Sequence, residues 1–484
     1  MAAVQPSYED HVLTFLGSGV NRPTLGLVYG RRRIGKSTLL ERVTRERAGF
    51  YWEATRAESA VHLARLGEAL GAHLGVGSLN LATWEDAFGQ LLRLGAGGAV
   101  PVVVDEFGYV VEADRSADSV VASALGPASR RQSGGQARLI LCGSALAMMQ
   151  SLTSGQAPLR GRSGMELVMH PAGFRQAALW LGKRANLTLA TRVYAVIGGV
   201  IGYATDMVDF DLPDRSADFD GWVTRRVLSP AATLHHEAAT LLSEDPTLSA
   251  GSPVIYHSIL GAIANGSVTA GKIANRLRRS VPNIDPALKR LVSAGFVCRH
   301  EDPSRSQRPV YALGDPFLQF HYAILEPHGT LLRDRAPAAV WSQRLAHVFD
   351  ARVRGPVFEE QTRQWVRRHA DEATIGGPPD HVGPSLISVD GKERQIDVVV
   401  AVASNHETPA AERQITAIGE AKAGEIVDVR HLQVLERARF ALGQRALRAK
   451  LLLFAPGFKE ALITEADRRE DVELIDLDRL YHGA

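Results

Sequence analysis

Cysteine is scarce in this chain, and its scarcity excludes several classes of protein. The 484 residues include two cysteines, Cys142 and Cys298. Two thiols are too few for a disulfide framework or, by themselves, for a zinc site. We therefore expect a protein of the reducing cytoplasm.

Long apolar runs and a large net charge are also missing. No run is long enough to span a bilayer, and the N-terminal MAAVQPSYED carries acids where a secretory signal has a basic flank. We expect a soluble protein with no membrane partner. The formal net charge of +2 is too small to indicate nucleic acid by itself, so that argument must rest on local clusters. The length suggests roughly two to four domains.

The segment YGRRRIGKSTLL contains a phosphate-binding loop. Residues 30–37 fit G-x-x-x-x-G-K-[ST], and the loop lies between an apolar strand, LGLVY, and a helix that begins STLLERV. We predict that Lys36 reaches the β- and γ-phosphates of ATP and that Ser37 gives its hydroxyl to Mg²⁺. The predicted nucleotide-binding residues of the loop are Gly30, Arg31, Arg32, Arg33, Ile34, Gly35, Lys36, Ser37 and Thr38. The three arginines either contact phosphate or form a solvated or partner-facing surface.

The segment PVVVDEF supplies the acids that such a loop needs. Its apolar part suits a buried parallel strand, at whose end Asp105 is expected to hold Mg²⁺ and Glu106 to polarise the attacking water. A glutamate after that aspartate favours hydrolysis over transfer of the phosphoryl group to another substrate. Lys36 and Glu106 are thus the predicted catalytic residues of an ATPase.

Two further segments carry polar residues that a nucleotide site can use. RLILCGSALAMM reads as a strand that ends on Ser144, which either senses the γ-phosphate or belongs to a simple turn. PLRGR offers Arg160 and Arg162 as arginine fingers, in cis or across an interface with a second copy, or as ordinary surface arginines. A homo-oligomer is therefore a possible assembly.

In order and spacing, these segments resemble the archaeal-type ATPase family, a branch of the additional-strand P-loop ATPases related to the AAA and STAND groups. YGRRRIGKSTLL, FYWEAT, VVVDEFGYV, CGSALAMM and PLRGR carry the resemblance. YAVIGGVIGY looks like that family's helical-lid signature, although Ile201-Gly202 stands where a proline usually follows, and YALGDPFLQFHY looks like the segment that leads into its C-terminal region.

The middle of the chain has the pattern of a winged helix. From Pro253 onwards, three helix-like segments precede two short strands, VCRH and PVYAL. Between Gly266 and Val310 there are nine Lys or Arg and three acids, an excess of six positive charges. The basic residues are Lys272, Arg276, Arg278, Arg279, Lys289, Arg290, Arg299, Arg305 and Arg308. Such a cluster suits DNA phosphates, but winged helices also serve as intramolecular or protein-docking modules.

A second candidate site lies near the C-terminus. The helix-like GPVFEEQTRQWVRRH is followed, past a Gly/Pro-rich break, IGGPPDHVGPS, by the strands RQIDVVVAV and TAIGEAKAG. Asp397 and Glu420 can hold Mg²⁺, with Glu359 as a further ligand, and Lys422 can orient a water for attack on a phosphodiester. Glu420 and Lys422 are two residues apart and so share a strand face.

This pattern resembles the PD-(D/E)XK nuclease fold, in which Asp397, Glu420 and Lys422 would be catalytic. Where the family often has E-C-K-W, this chain has Glu420-Ala421-Lys422-Ala423, which keeps the ionisable groups. The domain either cuts DNA as a Mg²⁺-dependent deoxyribonuclease or survives as a binding platform.

Together these patterns predict an α/β fold. We expect a P-loop parallel-sheet ATPase core (1–180) with a helical lid (181–250), followed by a winged helix (251–325) and an α/β nuclease-like domain (326–484). The predicted function is an ATPase whose nucleotide cycle controls a winged helix and a nuclease-like domain on DNA. The alternatives are a STAND-like switch whose C-terminal domain does not cut, and a pure DNA-binding regulator, which an intact Glu106 disfavours.

Overall fold

The protein is described here by a computed structural model of residues 7–127, 135–245, 248, 251–306, 308–403 and 408–484. These residues fall into two compact units. The first unit runs to Pro171 and includes Asp245, whereas the second comprises Ala172–Glu244 and the chain from Leu248 onwards. The four-domain division remains a prediction.

The first unit is built on a five-stranded parallel sheet. Its strands are β1 (Thr24–Tyr29), β2 (Phe50–Glu53), β3 (Pro101–Asp105), β4 (Arg138–Gly143) and β5 (Ser163–Val168). They lie in the order β2-β3-β4-β1-β5, and all pairings are parallel. Strands β3 and β4 are buried along their whole length, as their apolar runs predict for the interior of a covered parallel sheet.

Strand β4 lies between β1 and β3. The loop after β1 and the acids after β3 are therefore separated by the strand that ends before Ser144. Because parallel strands end at the same edge of a sheet, all three segments meet at one edge. This order is the additional-strand arrangement that the resemblance implied.

Helices cover the sheet of the first unit. They are α1 (Tyr8–Leu16), α2 (Lys36–Glu46), α3 (Ser59–Leu74), α4 (Trp84–Arg93), α5 (Phe107–Ala113), α6 (Ala117–Ala124) and α7 (Leu146–Ser151). Helix α4 begins with a capping box between Thr83 and Asp86, which satisfies backbone N–H groups at its start. Leu66 of α3 and Phe88 of α4 pack into one core with Leu27 and Val102 of the sheet.

The second unit begins with helices that include the predicted lid. They are α8 (Phe174–Trp180), α9 (Leu187–Ile197), α10 (Phe219–Val223) and α11 (Thr233–Glu244), with the short helical turns Tyr203–Met207, Ser216–Asp218 and Thr224–Leu228 between them. After α9, a Cβ on Gly199 would lie 1.8 Å from the Ala172 carbonyl oxygen. The second glycine of the GGV signature is therefore required by a close backbone approach.

Three helices and a hairpin follow, in the order predicted for a winged helix. They are α12 (Pro253–Ala264), α13 (Ala270–Arg276), α14 (Val281–Ser293), β6 (Val297–His300) and β7 (Val310–Leu313). Strands β6 and β7 are antiparallel, and Gly295 follows α14 with a φ of 77°, as expected for a residue that ends a helix. Residues 253–313 are called the three-helix module below.

A nearly continuous helical connector leads from this module to the C-terminal sheet. It contains α15 (Pro316–Phe320), α16 (Glu326–Asp334), α17 (Pro337–Val340), α18 (Ala346–Val348), α19 (Gly355–Arg368) and α20 (Glu372–Ile375). The π turns His321–Leu325, Trp341–Leu345 and Phe349–Arg354 join several of these segments. The buried rings of Trp341 and Phe349 contact Phe219 of α10, which ties the connector to the helices that begin the unit.

The C-terminal region contains a mixed five-stranded sheet. Its strands are β8 (His381–Val389), β9 (Lys392–Val402), β10 (Gln414–Ala421), β12 (Lys450–Phe454) and β14 (Val472–Ile475), and a separate short pair is formed by β11 (Ile426–Val427) and β13 (Gly457–Phe458). The sheet order is β14-β12-β10-β9-β8, antiparallel from β8 to β10 and parallel from β10 to β14.

Helices pack on both faces of this sheet. The remaining helices are α21 (Val429–Ala441), α22 (Glu460–Ala466) and α23 (Leu477–His482). Leu435 of α21 lies in one core with Ile418, and Trp365 of α19 lies in the opposite core with Val398. Phe174 of α8 joins the second core, so helices from before the three-helix module help to cover the C-terminal sheet.

Strand β8 was not expected. Its first residues lie within IGGPPDHVGPS, which we interpreted as a break because of its glycines and prolines. Pro384 is tolerated because β8 is an edge strand and its register with β9 shifts between Gly383 and Ser385.

The predicted α/β fold class is confirmed, with a parallel-sheet core and a later α/β sheet domain. Across the described ranges, no helix combines the length and the apolar character needed to cross a membrane.

Candidate functional sites

The phosphate-binding loop connects β1 to α2, as its motif predicts. Gly30 has a φ of 155°, and a Cβ there would lie 2.2 Å from the Met169 carbonyl oxygen. Gly35 precedes α2 with a φ of 91°, and Arg33 has a φ of 64°. The loop therefore needs glycine at both motif positions, because other residues adopt positive φ rarely.

Lys36 is the central charge of this loop. It is 5% exposed, and its Nζ donates a hydrogen bond of 2.9 Å to the Arg31 carbonyl oxygen. Burial lowers the pKa of Lys36, while nearby Cys142, Glu106 and Asp105 act in the opposite direction. The lysine thus lies close to both predicted acids.

The other loop residues differ in exposure. Arg31, Arg32 and Arg33 are half-buried, Ile34 is buried, and Thr38 is exposed in the first turn of α2. The charge of Arg32 reaches both Lys36 and Glu53 of β2, since it lowers the pKa that each would otherwise have. Arg32 is therefore close enough to act electrostatically on two residues of the site.

Asp105 is fully buried at the end of β3. Its Oδ2 accepts a 2.6 Å hydrogen bond from the Tyr51 hydroxyl, and its Oδ1 accepts one of 2.8 Å from the Glu106 backbone N–H. Ser37 is close enough to the Tyr51 hydroxyl to lower its pKa, against the raising effects of burial and Asp105. Both predicted Mg²⁺ ligands of the first unit, Asp105 and Ser37, therefore neighbour one hydroxyl group, and their oxygens suit a hard cation.

Glu106 is held by the tip of β4. Its Oε2 accepts hydrogen bonds of 2.9 Å from the Ser144 hydroxyl and 3.3 Å from the Ser144 backbone N–H. Glu106 itself has a φ of 49°, an unusual value for a residue other than glycine. This left-handed conformation starts α5 directly after β3 and directs the carboxylate towards Ser144.

Sequence reasoning missed two residues of this site. Tyr51 and Glu53 are two residues apart on β2, and Glu53 pairs in register with Asp105. Burial raises the pKa of Glu53, helped by Asp105 and Glu106, and burial together with Asp105 raises that of Tyr51. The alternation in FYWE was the available signal, because residues two apart on a strand share a face.

Arg160 and Arg162 lie away from this edge of the sheet. Arg160 donates to the Gly155 carbonyl oxygen at 2.6 Å, and Arg162 donates to those of Pro158 and Ala122 at 3.0 and 3.2 Å. Arg162 precedes β5, whose start is paired with the start of β1, whereas the loop follows the end of β1. An arginine finger in cis is not formed in this arrangement, and a finger acting on a second copy remains a prediction.

The second unit brings together the four residues predicted near the C-terminus. Gln395 Nε2 donates to Glu359 Oε2 of α19 at 3.0 Å and to Asp397 Oδ1 of β9 at 3.4 Å. Asp397 Oδ2 accepts a 2.9 Å hydrogen bond from the backbone N–H of Ala421. Lys422 Nζ donates to Glu420 Oε1 at 2.7 Å. We call Glu359, Asp397, Glu420 and Lys422 the C-terminal site.

The carboxylates of the C-terminal site repel one another. Burial raises the pKa of Asp397 well above its ordinary range, and Glu359 and Glu420 raise it further. Burial also raises the pKa of Glu359, against the opposing effect of Arg363 and Lys422. Burial lowers the pKa of Lys422, but Glu420, together with Asp397 and Glu425, raises it by more, so the pKa lies above its ordinary value. A bound cation would relieve this repulsion.

Two polar residues that we did not predict support this site. Arg363 is 4% exposed and donates to the Asp397 carbonyl oxygen and to Glu360 Oε2, both at 2.8 Å. Gln395 bridges Glu359 and Asp397. Arg363 lies one helical turn after Glu359, and Gln395 lies two residues before Asp397 on the same strand, so spacing alone could have indicated both.

The side chains of the C-terminal site have the chemistry of metal ligands, but they are not arranged as a preformed metal site. Carboxylate oxygens are the ligands that Mg²⁺ prefers. Within the residues that the structure covers, however, no three His, Cys, Asp or Glu side chains are grouped closely enough to hold a metal ion. The Gln395 amide instead bridges two of the acids. The predicted metal ligands of both sites remain predictions.

The loop between β6 and β7 is packed against the C-terminal sheet. Asp302 and Ser304 are 1% and 0% exposed, and the Ser304 hydroxyl is 2.7 Å from that of Ser385 on β8. Arg445 Nη2 donates to the Ser304 carbonyl oxygen at 2.8 Å. The centre of this loop is thus an intramolecular contact, which was one of the two alternatives to DNA contact that the sequence left open.

The basic residues of the three-helix module differ in their partners. Lys272 is paired with Glu393, Lys289 with Asp285 at 2.7 Å, and Arg299 with Glu301. Among the residues that the structure describes, six of the nine have no ion-pair partner: Arg276, Arg278, Arg279, Arg290, Arg305 and Arg308. Four of these six lie on the end of α13, the turn after it and α14, and the other two lie in the loop between β6 and β7.

Comparison with known proteins gives one related sequence. No family model matches the chain. The uncharacterized protein MJECL04 of Methanocaldococcus jannaschii is 23% identical over 336 residues, which cover 67% of this chain and 70% of that protein. Its description assigns it no activity.

Several solved structures are similar in fold. The Walker-type ATPase PABY2304 of Pyrococcus abyssi is 20% identical, with 62% of this chain and 91% of that chain covered and a TM-score of 0.45. The ORC2 protein of Aeropyrum pernix, in ADPNP-ADP complexes, is 17% identical, with 67% and 91% covered and a TM-score of 0.38. Cdc6p from Pyrobaculum aerophilum is 14% identical, with 67% and 92% covered and a TM-score of 0.32. Likenesses this distant carry no argument about activity.

Proposed function

We propose that the first unit binds ATP with Mg²⁺ and hydrolyses ATP to ADP and phosphate. This proposal rests on one observation. At one edge of the parallel sheet, four groups lie together: Lys36, Asp105, Glu106 and Ser144. Hydrogen bonds fix both acids, so the groups are oriented before a nucleotide arrives. Such preorganisation is the main source of catalysis in phosphoryl transfer.

Each residue has a distinct role in this reaction. The backbone of the loop binds the phosphates, and Lys36 stabilises negative charge on the β- and γ-phosphates. Glu106 accepts the proton of the attacking water as the new oxygen–phosphorus bond forms and the bond to the leaving ADP oxygen breaks. Ser144 holds Glu106 and competes for its carboxylate until the water binds. Mg²⁺ would be held through Ser37 and Asp105 and would neutralise phosphate charge.

The test is ATP turnover together with nucleotide binding. We expect Lys36→Ala to lose binding, and Glu106→Gln to retain binding while kcat falls by roughly 10²–10⁴-fold, the usual contribution of a general base. Glu112→Gln is the matched control, because Glu112 is an exposed glutamate of α5. Wild-type turnover in Glu106→Gln would refute the assignment of the base.

For the second unit we propose DNA association under the control of the nucleotide cycle, with Mg²⁺-dependent cleavage of DNA at the C-terminal site. Support comes from the convergence of Glu359, Asp397 and Glu420 with Lys422 and from the unpaired arginines of the three-helix module. Lys422 would orient a water for attack on the phosphodiester, and Asp397 and Glu420 would hold Mg²⁺, which polarises the phosphate.

A nucleotide switch without cleavage is the competing proposal. It is favoured by the Gln395 amide, which occupies the space between Glu359 and Asp397. Purified protein should be incubated with duplex, single-stranded and branched DNA and with Mg²⁺ or Mn²⁺, with and without ATP. Cutting that is lost in Asp397→Ala and Lys422→Ala supports the nuclease, and its dependence on Lys36 supports control by ATP. Absence of cutting while ATP hydrolysis is intact supports the switch.

A further inference from the structure

Two cavities of the second unit adjoin each other. The first, which we call the arginine cleft, has a volume of about 1120 Å³ and lies among α12, α14 and the connector. The second, the site cleft, has a volume of about 650 Å³ and includes the C-terminal site residues Glu359 and Lys422. His347, Ala351 and Arg352 line both cavities, so the two clefts adjoin at these residues.

The arginine cleft is strongly basic. Arg276, Arg279, Arg290 and Arg352 line it, and Glu326 is the carboxylate found in its lining. Over the described residues none of these four arginines has an ion-pair partner, whereas Arg354 and Arg363 of the same unit are both paired with carboxylates. A concave surface lined by one sign of charge focuses its field and attracts ligands of the opposite sign.

Arg352 stands at the junction of the two clefts. Its Nη1 donates to the Asn265 carbonyl oxygen at the end of α12 at 3.3 Å, and the side chain is exposed. One nitrogen of the guanidinium is thus bonded to the backbone, and its remaining N–H groups can bind a ligand. A guanidinium held in this way suits a phosphate oxygen, because its donors form a rigid planar fork.

The site cleft is bounded by the three-helix module as well as by the C-terminal sheet. Gly266, Val268, His300 and Tyr311 of the module line the same cavity as the C-terminal site residues. The module is fixed there by the Lys272–Glu393 ion pair and by the Ser304–Ser385 contact. A ligand that reaches Lys422 must therefore fit beneath the module.

We propose that a single strand of nucleic acid runs through the arginine cleft, passes Arg352 and enters the C-terminal site. The phosphates of such a strand would be bound by Arg276, Arg279, Arg290 and Arg352 of the arginine cleft and by Lys422 of the site cleft. The inference rests on the proposed DNA association of the second unit and names its substrate class.

The size of the path favours a single strand over a duplex. Cavities of roughly 300–1,000 Å³ enclose ligands of drug size, which corresponds to a nucleotide or two in each cleft. A duplex presents two backbones and a paired interior, and it therefore needs more width than a single strand. A basic groove that follows one backbone is the usual arrangement for binding a single strand without regard to sequence.

Binding without cleavage tests the path. The probes are a fluorescent 20-nucleotide DNA strand, the same strand as RNA, and the strand annealed to its complement, titrated with the full chain in the absence of divalent metal. We expect the single strands to bind at least tenfold more tightly than the duplex, and Arg279→Glu, Arg352→Glu and Lys422→Ala each to weaken their binding. The slope of log K against log salt should fall by about 0.7 for each phosphate that a variant no longer neutralises.

Arg335→Glu is the matched control, because Arg335 is an exposed arginine after α16 that lines neither cleft. Circular dichroism and the melting temperature of each variant show whether its second unit is folded. Equal or tighter binding of the duplex, or identical behaviour of Arg352→Glu and Arg335→Glu, would overturn the path. A protein that binds single strands through these residues but cuts nothing supports the path and contradicts only the proposed nuclease.

Discussion

At the scale of single residues, the nucleotide site depends on a pair of hydrogen bonds that joins two strand ends. Glu106 and Ser144 are 38 residues apart, yet the Ser144 hydroxyl and backbone both bond Glu106 Oε2. The motif around Glu106 predicted the acid, and the strand pattern predicted the serine. Their mutual contact could not be predicted, because it depends on the insertion of β4 next to β3.

We predict that Ser144→Ala lowers kcat for ATP about tenfold or more and changes KM little. The hydroxyl contact to a charged carboxylate contributes about 1.5–3 kcal/mol, and its loss lets Glu106 leave the orientation that it needs. Steady-state ATP turnover measures this effect. Ser151→Ala, which removes a hydroxyl at the end of α7, is the control and should leave turnover unchanged. A large rise in KM with normal kcat would argue against this role.

The carboxylates of the C-terminal site should make the second unit sensitive to Mg²⁺. Adding Mg²⁺ is expected to raise the melting temperature of wild type, since the cation relieves the repulsion among Glu359, Asp397 and Glu420. In Asp397→Asn the metal-free protein should melt at a higher temperature and gain little from Mg²⁺. The Asn side chain can still accept the Ala421 N–H, so the variant should fold.

Thermal unfolding with and without Mg²⁺ or a chelator measures this prediction, and Asp380→Asn, an exposed residue before β8, is its control. If Mg²⁺ raised the melting temperatures of wild type and Asp397→Asn by the same amount, the ion would bind elsewhere.

At the scale of elements, the wing, which is the loop between β6 and β7, packs on the C-terminal sheet. Ser304 is buried between Ser385 of the edge strand and Arg445, which also donates to the Ala410 carbonyl oxygen at 2.9 Å. The sequence of the wing is polar and basic, and this pattern equally fits a surface that contacts phosphate. The docking depends on β8, the strand that we did not predict.

We predict that Arg445→Ala releases the wing to proteases. The variant loses hydrogen bonds to two backbone carbonyls, so the bond after Arg305 should be cleaved by trypsin several-fold faster than in wild type. Limited trypsin digestion followed by mass spectrometry measures the cleavage rate at this position. Arg448→Ala removes a nearby exposed arginine and should digest like wild type. An unchanged rate in Arg445→Ala would show that other contacts suffice.

The strand β6 also carries a histidine that should make the second unit sensitive to acid. Burial lowers the pKa of His300 to about 4, although Glu360 of α19 opposes the shift. The folded pKa lies below the unfolded value near 6.5, so above pH 6.5 His300 is neutral in both states and does not lower the free energy of unfolding. As the pH falls from 6.5 towards 4, the unfolded chain binds a proton more readily than the folded one, and stability is lost. At about 1.4 kcal/mol for each pKa unit, the loss is on the order of 3 kcal/mol.

His300→Gln should remove this part of the acid sensitivity. The expected result is a smaller fall of the melting temperature between pH 7 and pH 4.5 than in wild type. His11→Gln is a control in the first unit. Parallel pH profiles for wild type and His300→Gln would mean that other buried groups dominate the acid response.

At the scale of the whole molecule, the proposed control of DNA binding by nucleotide is a coupling free energy between two sites. If ATP and DNA binding are coupled, a non-hydrolysable ATP analogue should change the Kd for single-stranded DNA by roughly 5–150-fold. By thermodynamic linkage, DNA must change the Kd of the analogue by the same factor. Lys36→Ala should abolish the effect. Two titrations, one in each order, measure it, and equal Kd values with and without the partner ligand would refute the control.

The sequence by itself determined the local chemistry of this protein. The glycine pattern of residues 30–37, the apolar strands that end in Asp105 and at Ser144, and the spacing of Glu420 and Lys422 are local features, and local sequence fixes backbone conformation, strand faces and helix starts. They were sufficient for the α/β fold class and for the candidate residues of both sites.

The tertiary structure alone decided which of these local features meet. It added Tyr51, Gln395 and Arg363 to the sites, buried Ser304 against the C-terminal sheet, and placed Arg352 in the lining of both the arginine cleft and the site cleft. Each of these relations joins residues of different elements, often far apart in the chain. Strand order, edge position and the packing of one module on another set such contacts, and one sequence read residue by residue does not contain them.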